Sequence, residues 1–260
     1  MGRISDLFGA FRSESEPFCS AVIVAAGSGT RCDCGGKTKQ MTELMGLPVV
    51  ARTIMQFEQS ELINEIIVVA KTDEMSRYEE MSADYGWRKI ASVVPGGETR
   101  QKSVFNGLRE VSEKADFIAV HDGCRCLVTP EIIKKTYSEA RIHGCASAAC
   151  RAKDTIKREA NGIIEETIDR SHVWLAQTPQ IFKADILRAG AYIARDDGID
   201  VTDDCMLAEY IGFKVKLVDC GYSNIKITTA EDMYIAEAIL RHRSDQFDLV
   251  KSSVIGEGSK

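Results

Sequence analysis

An apolar run that opens into a glycine-rich, basic loop constrains this chain more than any other feature of its sequence. The run Ala21–Ala26 is rich in β-branched and other apolar residues, which is typical of a buried strand. Gly27-Ser-Gly29 follows, and glycine lets a backbone approach a ligand closely. Arg31, Lys37 and Lys39 then add positive charge. Because backbone N–H groups and fixed cations can both face an anion, the pattern predicts a polyphosphate site at the end of a strand.

Composition narrows the classes of protein to consider. The chain has 260 residues, of which 44% are hydrophobic and 28% are charged, enough to bury the core of one α/β domain. Its net charge of -6 argues against a general nucleic-acid-binding protein, which would normally be basic. It has no apolar run of transmembrane length and no signal-peptide core. We therefore expect a cytoplasmic protein that binds neither membrane nor nucleic acid.

Strands and helices alternate up to about residue 150, which predicts an α/β fold with a doubly wound, mostly parallel sheet. The folded domain is expected over residues 18–243, with flexible extensions at 1–17 and 244–260 and a last helix from Ala230 to Arg241. In such sheets, ligands bind at the carboxyl ends of the strands. The loops at Gly27, Pro95 and Asp122 should therefore converge on one crevice.

A projecting arm is predicted at about 151–171. The runs Lys153–Lys157 and Ile163–Ile168 flank Asn161-Gly162, and Asn-Gly between two alternating runs is the strongest short signal for a β-hairpin. A hairpin with a half-apolar face usually needs something to pack against. The arm therefore predicts a dimer.

The glycines alone leave alternatives open, namely a bare turn after a strand or a dinucleotide site. A dinucleotide site needs a third glycine and an acidic residue at the end of the second strand, where this chain has Cys32 and Ala70-Lys71. A triphosphate site supplemented by Arg31 and Lys39 is favoured. Asp122, at the end of a strand, either caps the next segment or holds Mg²⁺, which prefers one or two carboxylates and phosphate oxygens.

Other polar residues have ordinary explanations beside functional ones. Lys226 could reach the crevice or be a surface charge, and Arg125 could simply pair with Asp122. Thr155 and Arg170 could belong to a solvated hairpin edge, and Thr202 to a helix cap. No Ser-His-Asp or Cys-His pattern is visible. A set of cations with one or two acids suits charge neutralisation at phosphorus, where the substrate supplies the attacking group.

Taken together, these motifs resemble the 2-C-methyl-D-erythritol 4-phosphate cytidylyltransferases, the IspD family. The resemblance spans residues 20 to about 240, and the ordered set of motifs is highly specific. The matching stretches are Ala25–Arg31, Lys39-Gln40, Gly96–Ser103, Val120–Asp122 with Arg125, Asp154–Lys157, Asp169–Ser171 with Trp174, Gln177–Gln180, Thr202-Asp203 and Asn224–Thr228.

The resemblance implies a Rossmann-like nucleotidyltransferase of isoprenoid precursor synthesis, a homodimer through exchanged arms, and transfer from CTP to a sugar-alcohol phosphate with Mg²⁺. It implies that the catalytic residues are Arg31, Lys39 and Lys226. It places the nucleotide at Ala25, Ala26, Gly27, Gly29, Gly97, Glu98 and Ser103. It places the second substrate at Asp122, Arg125, Thr155, Arg170, Thr178 and Thr202, with Asp122 also serving the metal.

Three other functions remain as alternatives at this point. A ribitol-5-phosphate cytidylyltransferase has a similar nucleotide loop, although Asp169–Trp174 leading into Gln177–Gln180 favours the methylerythritol enzyme. An NAD-dependent oxidoreductase is disfavoured by the missing acidic residue after the second strand. A non-catalytic interaction protein on the same fold is disfavoured by the retention of the charged motif residues.

Overall fold

The computed structural model describes residues 16–27 and 38–256, with side chains described as far as residue 245. The predicted site residues Gly29 and Arg31 lie outside these ranges. The strands are β1 Cys19–Val24, β2 Glu43–Leu44, β3 Leu47–Pro48, β4 Glu65–Ala70, β5 Ile90–Pro95, β6 Phe117–Asp122, β7 Cys145–Arg151, β8 Ile156–Ala160, β9 Ile163–Ile168, β10 Trp174–Lys183 and β11 Lys216–Asp219. The helices are α1 Val49–Gln59, α2 Met75–Tyr85, α3 Arg100–Glu110, α4 Pro130–His143, α5 Ala184–Asp196, α6 Cys205–Tyr210 and α7 Ala230–Gly256.

A seven-stranded sheet in the order β11-β7-β10-β6-β1-β4-β5 forms the centre of the fold. Its strand pairs are parallel except for those that β10 makes with β6 and β7. Side chains of β1 alternate between two buried clusters, with Ala21 and Ile23 in one and Val22 in the other. Because both faces are covered, β1 is almost entirely apolar, and its buried Ser20 donates a hydrogen bond to Glu65 Oε2. The predicted α/β class with a mostly parallel sheet is confirmed.

Local signals set several helix boundaries as predicted. The Thr99 side chain accepts a hydrogen bond from the Lys102 N–H and caps α3, and Thr129 does the same for the Ile132 N–H at the start of α4. Gly144 ends α4 with a φ of 84°, a conformation that favours glycine.

The second half of the chain departs from the predicted pattern in two places. Strand β10 passes through a cis Thr178–Pro179 peptide and lies antiparallel inside the otherwise parallel sheet. The last helix continues beyond Arg241 to Gly256, since residues 242–255 contain no glycine or proline to end it.

The predicted hairpin is confirmed. Among the described strands, β8 and β9 pair with each other and with no other strand, and the pairing is antiparallel. Asn161 and Gly162 between them both have positive φ, as a tight hairpin turn requires. Ile163 and Ile164 on this arm are 71% and 60% exposed. Within the part of the chain that the structure describes, no helix has the length and apolar character needed to cross a membrane.

Candidate active site

A cavity of about 460 Å³ opens at the carboxyl ends of β1, β5 and β6. The three loops that the sequence predicts to converge do so here, because parallel neighbouring strands end at the same edge of the sheet. The residues that line it are Val24, Ala25, Ala26, Gly27, Lys39, Gln40, Gly97, Glu98, Thr99, Arg100, Ser103, Asp122, Cys124 and Lys226. The predicted nucleotide-binding residues within the described ranges all belong to this set, as do Lys39 and Lys226.

Asp122 lies at the floor of the cavity and is surrounded by cations. Its Oδ2 is 2.9 Å from Lys226 Nζ and 3.5 Å from Arg125 Nε, and its Oδ1 accepts a 3.1 Å hydrogen bond from Arg100 Nε. Burial alone would raise the pKa of Asp122, yet attraction to Arg100, Lys226 and Arg125 outweighs it and holds that pKa well below the ordinary value. Asp122 is therefore ionised at neutral pH and fixes three positive side chains around one point.

Arg100 was not singled out from the sequence, although it lies within the Gly96–Ser103 motif. Besides Asp122 it binds Asp204, with 2.8 Å between Arg100 Nη2 and Asp204 Oδ2. Asp204 is buried, and burial raises its pKa against the attraction of Arg100. One arginine thus bridges two carboxylates that are far apart in the sequence, a contact that only the folded chain creates.

The two loops of the predicted nucleotide site are held close together. The Ala25 N–H donates to the Val69 carbonyl at 2.7 Å, and the Gly97 N–H donates to Ser103 Oγ at 3.0 Å. A Cβ built on Gly96 would lie 2.1 Å from the Cβ of Ala26. Glycine at position 96 therefore allows the loop after β5 to approach the loop after β1.

Gly96→Ala should raise KM for the nucleotide by about tenfold, because the added methyl group forces the two loops apart. Steady-state kinetics with varied nucleotide would measure the effect. Adding Ala26→Gly to the same chain removes the opposing Cβ and should restore most of the affinity. An unchanged KM in Gly96→Ala would show that the close approach of the loops is not needed.

Apart from Asp122, the predicted second-substrate residues lie in three places. Arg125 and Thr178 contact Asp122 directly, and Thr178 Oγ1 accepts a 3.0 Å hydrogen bond from the Asp122 N–H. Thr202 is exposed, two residues before Asp204, and its Oγ1 lies 3.2 Å from Met206 Sδ. Thr155 and Arg170 belong to the arm segment, both exposed, and Arg170 donates to the Lys153 carbonyl. Of the predicted second-substrate residues, Asp122 lines the cavity and Arg125 and Thr178 contact Asp122, whereas Thr202 and the arm residues do not line the cavity.

His121 is a buried core residue next to the site. Its ring lies 4.9 Å from that of Phe57, and Nε2 is 3.3 Å from the Arg125 carbonyl oxygen. Burial lowers the pKa of His121 to about 3, with smaller effects from Asp122, Arg125 and Arg100. The imidazole is therefore neutral at neutral pH. Across residues 16–27 and 38–256, no cluster of three or more His, Cys, Asp or Glu side chains is arranged to hold a metal.

The low pKa of His121 predicts acid-dependent stability. Its contribution is fully present above the unfolded value of about 6.5 and is lost as pH falls toward the folded value, since only the unfolded state takes up the proton. Between pH 7 and pH 5 the loss should be about 2 kcal/mol in free energy of unfolding. Urea unfolding at both pH values should show this slope, and His121→Leu should lose it. His143→Gln, which alters a half-exposed histidine, should keep the slope, and an unchanged slope in His121→Leu would contradict the assignment.

Comparison with known proteins agrees with this geometry. Residues 19–242 match the family model described as IspD, 2-C-methyl-D-erythritol 4-phosphate cytidylyltransferase. The protein of that name from Geobacillus kaustophilus is 41% identical to this chain over 224 residues, which cover 86% of this chain and 97% of the relative. The protein of that name from Clostridium acetobutylicum is 42% identical over 228 residues, which cover 87% of this chain and 99% of the relative.

Solved structures give the same result. The 4-diphosphocytidyl-2C-methyl-D-erythritol synthase of Anaerococcus prevotii superposes with a TM-score of 0.77 at 33% identity, covering 87% of this chain and 100% of that one. The Francisella tularensis 2-C-methyl-D-erythritol 4-phosphate cytidylyltransferase superposes with a TM-score of 0.71 at 29% identity, covering 84% and 98%. The chain therefore belongs to the IspD family of 2-C-methyl-D-erythritol 4-phosphate cytidylyltransferases.

Proposed function

We propose that this chain joins CTP and 2-C-methyl-D-erythritol 4-phosphate to give 4-diphosphocytidyl-2-C-methyl-D-erythritol and pyrophosphate, a step of isoprenoid precursor synthesis. Family membership supports the reaction. The observation that carries the assignment of the site is the cavity at the strand ends, which Lys39, Lys226, Asp122 and the loop after β1 line together.

The reaction needs no covalent intermediate with the protein. An oxygen of the methylerythritol 4-phosphate attacks the α-phosphorus of CTP and forms a new P–O bond. The bond from that phosphorus to the oxygen that bridges it to the β-phosphate breaks, and pyrophosphate leaves with the electron pair. Negative charge accumulates on the phosphoryl oxygens, so fixed cations stabilise the transition state. Lys39 and Lys226, which line the cavity, would supply this charge, and Arg31 is assigned the same role from the family resemblance.

The nucleotide would occupy the two loops described above. Backbone N–H groups near Gly27 suit the phosphates, because such groups bind anions at strand ends. Ala25, Ala26, Gly97, Glu98 and Ser103 would hold the cytidine. Asp122, Arg125, Thr178 and Thr202 would contact or position the methylerythritol phosphate beside it.

Mg²⁺ is proposed as the cofactor. Two carboxylates, Asp122 and Glu98, line the described part of the cavity, and Glu98 is exposed and paired with Lys102. Asp122 fits Mg²⁺ in donor chemistry, because this ion takes one or two carboxylates together with substrate phosphates. Its Oδ2 is paired with Lys226, so the triphosphate would have to draw Lys226 away for Asp122 to bind the metal. Bound Mg²⁺ would neutralise phosphate charge.

A homodimer with exchanged arms is proposed to complete the site. Exposed Ile163 and Ile164 on the arm support burial against another subunit. Thr155 and Arg170 would then reach the methylerythritol phosphate of the partner's site. Arg170→Ala and Lys226→Met, each inactive alone, should regain about a quarter of native activity when co-expressed, because half of the dimers carry one intact site. No recovery in dimers shown to be mixed would contradict the exchange.

A substrate panel tests the reaction directly. Pyrophosphate release with methylerythritol phosphate should be fastest with CTP among CTP, UTP, ATP and GTP. Ribitol 5-phosphate is the alternative acceptor, and the names of the relatives reported above favour methylerythritol phosphate. Faster release with ribitol 5-phosphate, or none with either acceptor, would overturn the assignment. The cytoplasmic location stays a prediction, which cell fractionation would test.

A further inference from the structure

Glu74 is a buried acid that the proposed reaction leaves without a role. It is 7% exposed and ends the short 3₁₀ turn Thr72–Glu74 that follows β4. It occupies the N-cap position of α2, where the shorter side chains of Ser, Thr, Asp and Asn commonly cap the helix. Here the side chain makes no capping hydrogen bond. The carboxylate is directed instead to a different segment of the chain.

That segment borders the candidate nucleotide site. Thr38 Oγ1 donates a hydrogen bond to Glu74 Oε1, and Gln40 Nε2 lies 3.3 Å from Glu74 Oε2. The same Gln40 Nε2 donates to the Gly27 carbonyl oxygen at 3.0 Å. Gln40 is 1% exposed, so its bond to Glu74 is made away from solvent and is strengthened by the low local dielectric.

The consequence is a link between two parts of the cavity wall. Gly27 and Lys39 both line the cavity. In the sequence, Gly27 precedes the segment 28–37 and Lys39 follows it. Gln40, which follows Lys39, bonds to both the Gly27 carbonyl and the Glu74 carboxylate. Thr38, which precedes Lys39, bonds to the same carboxylate. Lys39 therefore lies between two residues that are both bonded to Glu74. A flexible lysine gains most from such support, because its own stem does not fix its position.

We propose that Glu74 is a positioning residue that holds Lys39 and the Gly27 carbonyl in register for the triphosphate of the nucleotide. The contrasting explanation is that Glu74 only stabilises the start of α2, where a negative charge is favourable in any case. The two explanations differ in which ligand should be affected. A positioning role predicts a loss confined to ligands that carry the β- and γ-phosphates, whereas a general structural role predicts similar losses for all ligands.

Calorimetric binding of CTP and CMP to Glu74→Ala would separate the two. We expect CTP affinity to fall about tenfold while CMP affinity stays within about twofold, because CMP lacks the phosphates that Lys39 would serve. In turnover, KM for CTP should rise and KM for methylerythritol phosphate should not. Glu79→Gln, an exposed acid one turn further along α2, is the matched control and should behave as the native protein. Equal losses for CTP and CMP, or no loss for either, would overturn the proposal.

Glu74→Gln provides a second variant in case Glu74→Ala does not fold. It keeps an acceptor for Thr38 Oγ1 but can place an amide N–H₂ against Gln40, so a smaller loss of CTP affinity, about threefold, is expected. The melting temperature of each variant would show whether folding is affected. A lowered melting temperature with native discrimination between CTP and CMP would also count against the proposal.

The inference rests on the proposed role of Lys39, and a double-mutant cycle keeps the two separable. If Glu74 acts through Lys39, Glu74→Ala should add little to the loss of CTP affinity in Lys39→Met. Fully additive losses would overturn the role of Glu74. Native CTP affinity in Lys39→Met would instead overturn the role of Lys39 in the proposed function, and with it any action of Glu74 through that residue.

Discussion

Lys226→Met should lower kcat/KM by about 10²–10³-fold, the loss typical when a group that stabilises transition-state charge is removed. Lys226 Nζ lies 2.9 Å from Asp122 Oδ2 and borders the cavity, and its side chain is 40% exposed. It can therefore move to the phosphates while Arg100 and Arg125 still compensate the buried Asp122. Methionine keeps a flexible apolar stem of similar length and removes only the charge. Pyrophosphate release under saturating and limiting CTP would divide the loss between kcat and KM.

The control is Lys216→Met, which removes the same charge from an exposed position on the edge strand β11. It should leave kcat/KM within about twofold of native, since exposed charges more than a Debye length from the phosphates are largely screened. Turnover by Lys226→Met within about threefold of native would show that this lysine is not part of the charge-stabilising set.

Asp122→Asn should both lower activity by about 100-fold and destabilise the fold by about 3 kcal/mol in free energy of unfolding. The carboxylate compensates Arg100, Arg125 and Lys226, and the two arginine side chains are only 27% and 12% exposed. Asparagine has a similar shape and no charge, so those cations would repel one another and lose their common acceptor. Urea unfolding monitored by circular dichroism would measure the stability, and pyrophosphate release the activity.

Asp84→Asn, an exposed acid on α2, is the matched control and should change stability by less than about 0.5 kcal/mol. A native free energy of unfolding in Asp122→Asn would mean that Arg100 is sufficiently compensated by Asp204. Native activity in the same variant would show that turnover needs neither the Asp122 carboxylate among the cations nor a metal bound to it.

Asp122 and Asp204 share one arginine, yet their pKa values are shifted in opposite directions. Both are buried, and burial opposes ionisation of both. Several cations outweigh burial at Asp122 and lower its pKa, whereas Asp204 has Arg100 alone in the described structure and its pKa stays raised. Repulsion from Asp122 and Asp203 adds to burial at Asp204, so the balance of nearby charges and burial sets the direction of each shift.

Sequence alone determined the features that depend on neighbouring residues. Thr99 and Thr129 cap their helices with their own hydroxyl groups, and Asn161-Gly162 forms the hairpin turn, because these interactions close within a few residues. The apolar strands predicted the parallel sheet, and the end of each strand predicted where the loops would meet. The resemblance then assigned most of the residues that line the cavity.

Tertiary structure alone decided the interactions between residues far apart in the chain. No local pattern in the sequence predicts the antiparallel insertion of β10, the bridge from Arg100 to Asp204 or the link from Glu74 to Thr38. For Glu74 the reason is that a polar residue at a helix start fits the same sequence pattern whether it caps its own helix or binds elsewhere. Such contacts become favourable only after the packed sheet has brought their partners together, since burial makes an unpaired polar group costly.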